Sequence, residues 1–100
     1  MLFGKMIKKL REDQGLLQRQ IAYELDIDTP QYSKLERGER LPKKEQIGQI
    51  ASLLNSNEKD LRTLWLADKI YRISQCEEDI QRDALMSVIQ LLTERHSSKP

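Results

Sequence analysis

The fold is decided by residues 18–40, which read QRQIAYELDIDTPQYSKLERGER. The apolar residues between 21 and 25 follow the spacing of one short helix. Asp28 marks the start of a second helix, because its carboxylate can accept the backbone N–H of Gln31 while the Gln31 side chain reaches back to the N–H of Asp28. Gly38 ends that helix. The pattern predicts two short helices joined by a tight turn, which is a helix-turn-helix candidate.

Apolar spacing outside this stretch predicts four further helices. One runs from about Phe3 to Gln14. The others cover about Lys44 to Leu54, Asn57 to about residue 73, and about Glu77 to Glu94. The chain has 15 Leu but one Val and three Thr, so most strand-forming residue types are scarce. We predict an all-α chain with a domain over residues 1–73 and a helical extension over residues 74–100.

Composition excludes several classes of function. One cysteine, Cys76, and one histidine, His96, cannot form a four-ligand zinc site or an internal disulfide. The four glycines never reach the spacing of a phosphate-binding loop, and no nucleophile lies in a recognisable catalytic set. We therefore expect no enzyme, no metal and no cofactor. No apolar run approaches about 18 residues, so we expect no membrane segment. The single cysteine is compatible with a reducing cytoplasm, where we expect the protein to be located.

Charge is unevenly distributed along the chain. Residues 1–44 carry ten Lys or Arg and seven Asp or Glu, an excess of +3, whereas residues 74–100 carry three basic and five acidic residues, an excess of −2. A mildly basic N-terminal part is compatible with a polyanionic partner. The positions of the charges say more than their sum.

One face of the predicted third helix has the chemistry of a DNA-reading surface. At about 100° per residue, the residues Thr29, Pro30, Ser33, Lys34 and Arg37 fall within one arc, and the apolar residues at 32 and 35 fall opposite. Hydroxyl donors flanked by cations suit a major groove lined with base edges and phosphates. We therefore expect the apolar side to pack inward and the polar side to contact double-stranded DNA.

The segment resembles the Cro/C1-type helix-turn-helix of phage repressors and of the bacterial xenobiotic-response-element (XRE) regulators. The matching residues are Gln18, Ile21, Ala22, Leu25, Ile27, Tyr32 to Gly38, and Pro42. The likeness extends from Phe3 to about Leu66. It implies a five-helix, lambda-repressor-like DNA-binding domain and a sequence-specific regulator of transcription.

The resemblance also implies roles for individual residues. Position 18 matches a phosphate contact, positions 29, 33 and 34 match base-facing positions, and the residues from 37 to 44 match the loop that follows the DNA backbone. The proline ring at position 30 can meet a thymine methyl group. Arg11 and Glu36 match a structural salt bridge between the first and third helices. The expected DNA-contacting set is Gln18, Thr29, Pro30, Ser33, Lys34, Arg37, Arg40, Lys43 and Lys44.

Three residues depart from the family pattern. Asp26 replaces the usual turn glycine, so the turn must accept a left-handed Asp or adjust its geometry. Leu17 stands where Ser or Thr normally caps the second helix, a loss of about 1 kcal/mol. Pro30 occupies a position that often carries a base-reading side chain, so the target sequence stays open.

The C-terminal helix admits several interpretations. Its apolar residues cover a wide arc, which favours an interface; the acidic residues from 77 to 79 fit the positive start of a helix. We favour a homodimer that reads an inverted repeat, with an interface formed by Leu66, Ile70, Ile73, Ile80, Ala84, Leu85, Val88, Ile89 and Leu92. Alternatively, the helix folds back and completes the monomer core, or it holds a protein partner, as in an antitoxin.

For the function of the whole protein, a phage repressor, a restriction–modification controller and an enzyme accessory subunit also remain open.

Overall fold

The computed structural model describes residues 1–97, with side chains as far as Arg95, and its regular elements are all helices. The elements are α1 (Leu2–Asp13), α2 (Gln18–Glu24), α3 (Thr29–Glu36), α4 (Lys44–Leu53) and α5 (Glu58–Ser74), then a 3-10 helix (Gln75–Glu77) and α6 (Gln81–Ser97). No strand occurs within this described range, which confirms the predicted all-α class. None of the helices in residues 1–97 is long and apolar enough to cross a membrane.

The chain divides into two compact units, the first covering Met1–Lys69 and the second beginning at Ile70. The division therefore falls inside α5, a little before the boundary that the sequence predicts between residues 73 and 74. All of the core belongs to the first unit. Its buried apolar residues are Phe3, Ile7, Ile21, Ala22, Leu25, Tyr32, Leu35, Ile47, Ile50, Ala51, Leu54, Leu61 and Trp65.

Helix α1 is capped by a residue distant in sequence. Its own N-cap, Met1, makes no side-chain cap hydrogen bond. Instead, the buried carboxylate of Asp68 accepts the backbone N–H groups of Leu2 and Phe3, each at 2.9 Å. A carboxylate at a helix N-terminus satisfies free N–H groups and complements the helix dipole. Asp68 thus ties α5 to the start of α1.

Helix α1 also packs unusually close to the end of α3. A Cβ atom at Gly4 would lie 2.5 Å from the carbonyl oxygens of Leu35 and Glu36. Only glycine permits this approach, because any side chain would collide with the backbone. The close packing brings α1 to the end of the helix that the sequence predicts to read DNA.

The start of the last helix differs from the prediction. Helix α6 begins at Gln81 rather than near Glu77, after the 3-10 helix and a turn in which the Ile80 N–H donates to the Glu77 carbonyl at 3.1 Å. The acidic residues from 77 to 79 therefore precede α6, and its first turn contains Asp83 instead. Gln81 Nε2 donates to Ser74 Oγ at 2.9 Å across this turn. Such a contact cannot be read from apolar spacing.

Candidate nucleic-acid interface

Helices α2 and α3 form the expected pair, and the turn between them accepts the unusual Asp26. Its φ is +57°, the left-handed conformation that glycine normally adopts. The N–H of Asp26 donates to the Tyr23 carbonyl and that of Ile27 to the Ala22 carbonyl, both at 3.1 Å. The turn therefore keeps its hydrogen bonds, and its conformational strain is confined to the φ angle of Asp26.

Helix α3 begins with the predicted capping box. Gln31 N–H donates to Asp28 Oδ1 at 2.8 Å, and Asp28 N–H donates to Gln31 Oε1 at 3.3 Å. At the start of α2, by contrast, Leu17 provides no side-chain cap. Gln20 Oε1 accepts the Leu17 N–H at 2.7 Å, so half of a capping box remains.

The polar face of α3 is open to solvent and its apolar face is buried. Thr29, Pro30 and Lys34 are exposed, whereas Tyr32 and Leu35 lie in the core. The position of Tyr32 in the sequence suggests a hydroxyl at the edge of the domain, but the residue is 0% exposed. The three polar-face residues lie in the first six positions of the helix, where a helix lying in the major groove contacts base edges.

Arg37 and Ser33 are linked to each other and to Glu39. Arg37 donates to Ser33 Oγ and also forms a salt bridge with Glu39. The side chains of Arg37 and Glu39 are exposed, so a DNA phosphate can compete for the guanidinium. Helical spacing places Arg37 and Ser33 on one face but does not reveal Glu39 as an internal partner.

The loop between α3 and α4 exposes the remaining basic residues. Arg40, Lys43 and Lys44 are exposed, while Pro42 is buried. The carbonyl oxygen of Pro42 accepts the indole N–H of Trp65 at 2.8 Å. Pro42 is therefore turned toward the core, whereas the cations of the loop face solvent. In the sequence, the loop directly follows α3.

Arg11 and Glu36 form a buried ion pair beneath this surface. Arg11 Nε lies 2.6 Å from Glu36 Oε2, Arg11 Nη2 lies 3.0 Å from Glu36 Oε1, and the two side chains are 11% and 2% exposed. Arg11 Nη1 also donates to the Leu16 carbonyl at 2.9 Å. The pair joins α1, the loop after it, and the end of α3.

Gln18 belongs to the same network. Its Nε2 donates to Glu36 Oε1 at 2.9 Å, in a partly buried setting. The resemblance implies a phosphate contact at this position, and an amide nitrogen carries a second N–H for one. Sequence reasoning missed the bond to Glu36, since it joins residues 18 positions apart.

Arg11, Glu36 and the nearby buried Tyr32 all have perturbed pKa values. Hydrogen bonding to Glu36 raises the pKa of the Arg11 guanidinium. Burial by itself raises the pKa of Glu36, but the hydrogen bonds from Arg11 and Gln18 outweigh it, and the net pKa is lowered. Burial also raises the pKa of the Tyr32 phenol. All three shifts favour an ionic Arg11–Glu36 pair beside a neutral phenol at neutral pH.

The residues predicted to form a dimer interface are largely accessible. Among the large apolar side chains of this set, exposure ranges from 41% at Ile70 to 76% at Ile73, and Leu85 is half-buried. Three further apolar residues, Tyr71, Met86 and Leu91, are 51%, 57% and 65% exposed. The described side chains of α6 run from Gln81 to Arg95, and none of them is buried.

Comparison with known proteins gives the same assignment as the geometry. The family described as "Helix-turn-helix" matches residues 7–61, which span α2, the turn, α3 and α4. The chain belongs to this helix-turn-helix family. It is therefore a Cro/C1-type DNA-binding regulator of transcription, as the motif in residues 18–40 predicted.

This helix-turn-helix protein aligns with one curated relative over most of the length of both chains. It is the "Cryptic phage CTXphi transcriptional repressor RstR" of Vibrio cholerae serotype O1, 33% identical over 89 residues, which cover 82% of this chain and 79% of the relative. No solved structure matches the chain significantly. The similarity to RstR reaches beyond the residues 7–61 that the family itself accounts for.

The sequence analysis missed the structural roles of several residues. Helical spacing puts Asp68 in an apolar row of α5 and gives it no role, yet it caps α1. The bond from Trp65 to the Pro42 carbonyl is equally invisible in the sequence. An acidic residue in an otherwise apolar row is a readable signal, because a buried carboxylate needs hydrogen-bond donors.

Proposed function

We propose that this protein is a transcriptional repressor that binds an inverted-repeat operator as a homodimer. The observation that carries the proposal is the polar face of α3, where Thr29, Pro30 and Lys34 are exposed and the basic loop follows directly in the sequence. In this proposal α3 enters the major groove. The nine residues predicted above then contact the DNA together, with Lys34 reading bases and Arg40, Lys43 and Lys44 binding phosphates. The similarity to the repressor RstR supports repression.

The test is selection from random duplex DNA at about 150 mM salt, a condition under which phosphate contacts alone bind weakly. We expect an inverted repeat with half-sites about one helical turn, roughly 34 Å, apart. Lys34→Ala should weaken binding to the selected site by about 1–3 kcal/mol and relax the preference at one base pair. The matched control, Lys59→Ala, removes an exposed lysine of α5 outside the predicted set.

Either of two results would reject this function. One is the absence of any enriched sequence. The other is equal binding by wild type, Lys34→Ala and Lys59→Ala at every site tested. A uniform decrease in affinity for Lys34→Ala across all sequences would make that residue a phosphate contact instead.

Dimerisation in this proposal uses the apolar face of α6. Val88 and Ile89 are 51% and 54% exposed near the middle of the helix, and exposed apolar surface of this extent favours an interface. Val88→Glu should shift the mass in solution from dimer to monomer. Gln90→Glu is the matched control, since position 90 lies about 200° around the helix from position 88. A monomeric wild type would refute the dimer.

The same face supports one alternative, a protein-binding module of the antitoxin kind. Stable recovery of a second protein with the wild type, abolished by Val88→Glu, would favour it over a self-dimer. The predicted cytoplasmic location and the predicted lack of catalysis accompany the repressor proposal. Neither is required for DNA binding.

A further inference from the structure

Trp65 fixes the loop between α3 and α4 from a different part of the chain. It is the only tryptophan in the sequence and is 9% exposed. Its indole N–H donates to the carbonyl of Pro42 at 2.8 Å in a buried setting. Proline has no N–H of its own, so this carbonyl is the hydrogen-bonding group of Pro42. The next residue is Lys43, whose side chain is exposed.

Several other hydrogen bonds of this loop are local. The N–H groups of Glu39 and Arg40 donate to the Lys34 carbonyl at 3.0 and 3.4 Å. At the far end, Gln46 Oε1 accepts the Lys43 N–H at 2.9 Å. These bonds join the loop to its flanking helices, whereas the Trp65 bond spans 23 residues and joins it to α5. It therefore constrains where the loop lies in the domain as well as its shape.

We propose that Trp65 is a positioning residue of the DNA-binding surface. By holding the Pro42 carbonyl, its indole keeps the backbone of Lys43 and the start of α4 where they meet the DNA phosphates. A cation that is placed before binding loses less conformational freedom when it binds. This inference rests on the proposed function, because it assigns Trp65 an effect on DNA contacts made by other residues.

The competing explanation is that Trp65 only fills the core. Its ring already has other contacts, since Lys69 Nζ lies 4.4 Å from the ring centroid. A core-filling residue would change the stability of the domain and leave the contribution of each DNA-binding side chain unchanged. A positioning residue must instead show specific coupling to the lysine beside Pro42. A double-mutant cycle measures that coupling directly.

The experiment measures Kd for a labelled duplex carrying the selected operator at about 150 mM salt. Trp65→Phe keeps an aromatic ring and removes the indole N–H. We expect it to raise Kd about tenfold, and we expect Lys43→Ala to raise Kd by a much smaller factor in the Trp65→Phe background than in the wild type. Lys34→Ala, which lies on α3, should cost the same factor in both backgrounds. For each phosphate that a variant no longer binds, the slope of log Kd against the logarithm of the salt concentration should decrease in magnitude by about one.

Two controls separate positioning from a decrease in stability. Ile50→Val removes one methyl group from a fully buried core residue of α4, and its effect should combine additively with both lysine variants. Circular dichroism verifies that each variant is folded at the assay temperature. If Trp65→Phe does not fold, 3-benzothienylalanine at position 65 replaces only the N–H by sulfur in a ring of nearly the same shape.

The proposal is overturned if Lys43→Ala costs the same factor with and without the indole N–H. It is also overturned if Lys34→Ala shows the same coupling as Lys43→Ala, because the effect of Trp65 would then be general. A wild type that binds no DNA would overturn the proposed function together with this inference. Intact wild-type binding with an additive cycle would overturn the inference alone.

Discussion

Removing either partner of the Arg11–Glu36 pair should strongly destabilise the first unit. The carboxylate is 2% exposed and accepts two hydrogen bonds from Arg11, at 2.6 and 3.0 Å. Removing one partner of such a pair leaves the other charge buried, at a cost of about 3–5 kcal/mol. A domain of about 70 residues has a total stability of roughly 4–10 kcal/mol. Glu36→Leu and Arg11→Met should therefore each leave a barely stable domain.

Urea unfolding followed by circular dichroism measures this destabilisation. The double variant should lose less than the sum of the single variants by about 2 kcal/mol or more, because it leaves no buried charge. Part of the destabilisation should remain, since the Leu16 carbonyl and the Gln18 amide are also left without a partner. Lys9→Ala is the control: it breaks an ion pair of 2.8 Å whose side chains are 70% and 59% exposed, and it should leave the unfolding midpoint unchanged.

Two results would refute this reasoning. In one, each single variant loses less than about 1 kcal/mol, so that the pair contributes no more than an exposed one. In the other, the single losses add to the double loss within about 0.5 kcal/mol, so that the residues act independently.

Three further predictions concern pH, backbone conformation and the packing of α1. Because folding lowers the pKa of Glu36, the stabilisation from its charge is complete above the unfolded pKa of about 4.3 and is lost as pH falls through the folded pKa. The stability difference between wild type and Glu36→Gln should therefore shrink from pH 7 to pH 3, and a constant difference would contradict this. Asp26→Gly should raise the unfolding midpoint slightly, because the φ of Asp26 is +57°. Gly15→Ala should instead lower the free energy of unfolding by about 1 kcal/mol from backbone strain alone, since the φ of Gly15 is +69° and no atom lies within 4 Å of the added Cβ. Midpoints equal to that of the wild type would refute both. Gly4→Ala should lose about 1–3 kcal/mol from overpacking, and an unchanged melting temperature would show that α1 can move away from the carbonyl oxygens it touches.

The local features of this protein were readable from the sequence. The capping box at Asp28 and Gln31 and the division of α3 into a buried and an exposed face depend on residues within one or two helical turns. Short-range spacing and turn chemistry determine such features directly. The family resemblance extended this local information to the Arg11–Glu36 pair, which the structure shows as a buried ion pair.

The contacts between distant residues were decided only by the tertiary structure. The sequence contains Asp68, Trp65 and Gly4 but does not say that the first caps α1, the second holds Pro42, or the third permits the approach to α3. Each of these contacts depends on how whole helices pack, and packing joins positions that no local period relates. The sequence thus determined which helices form and which face of α3 is polar. The packing of α1 and α5 around that motif determined which residues fix its position.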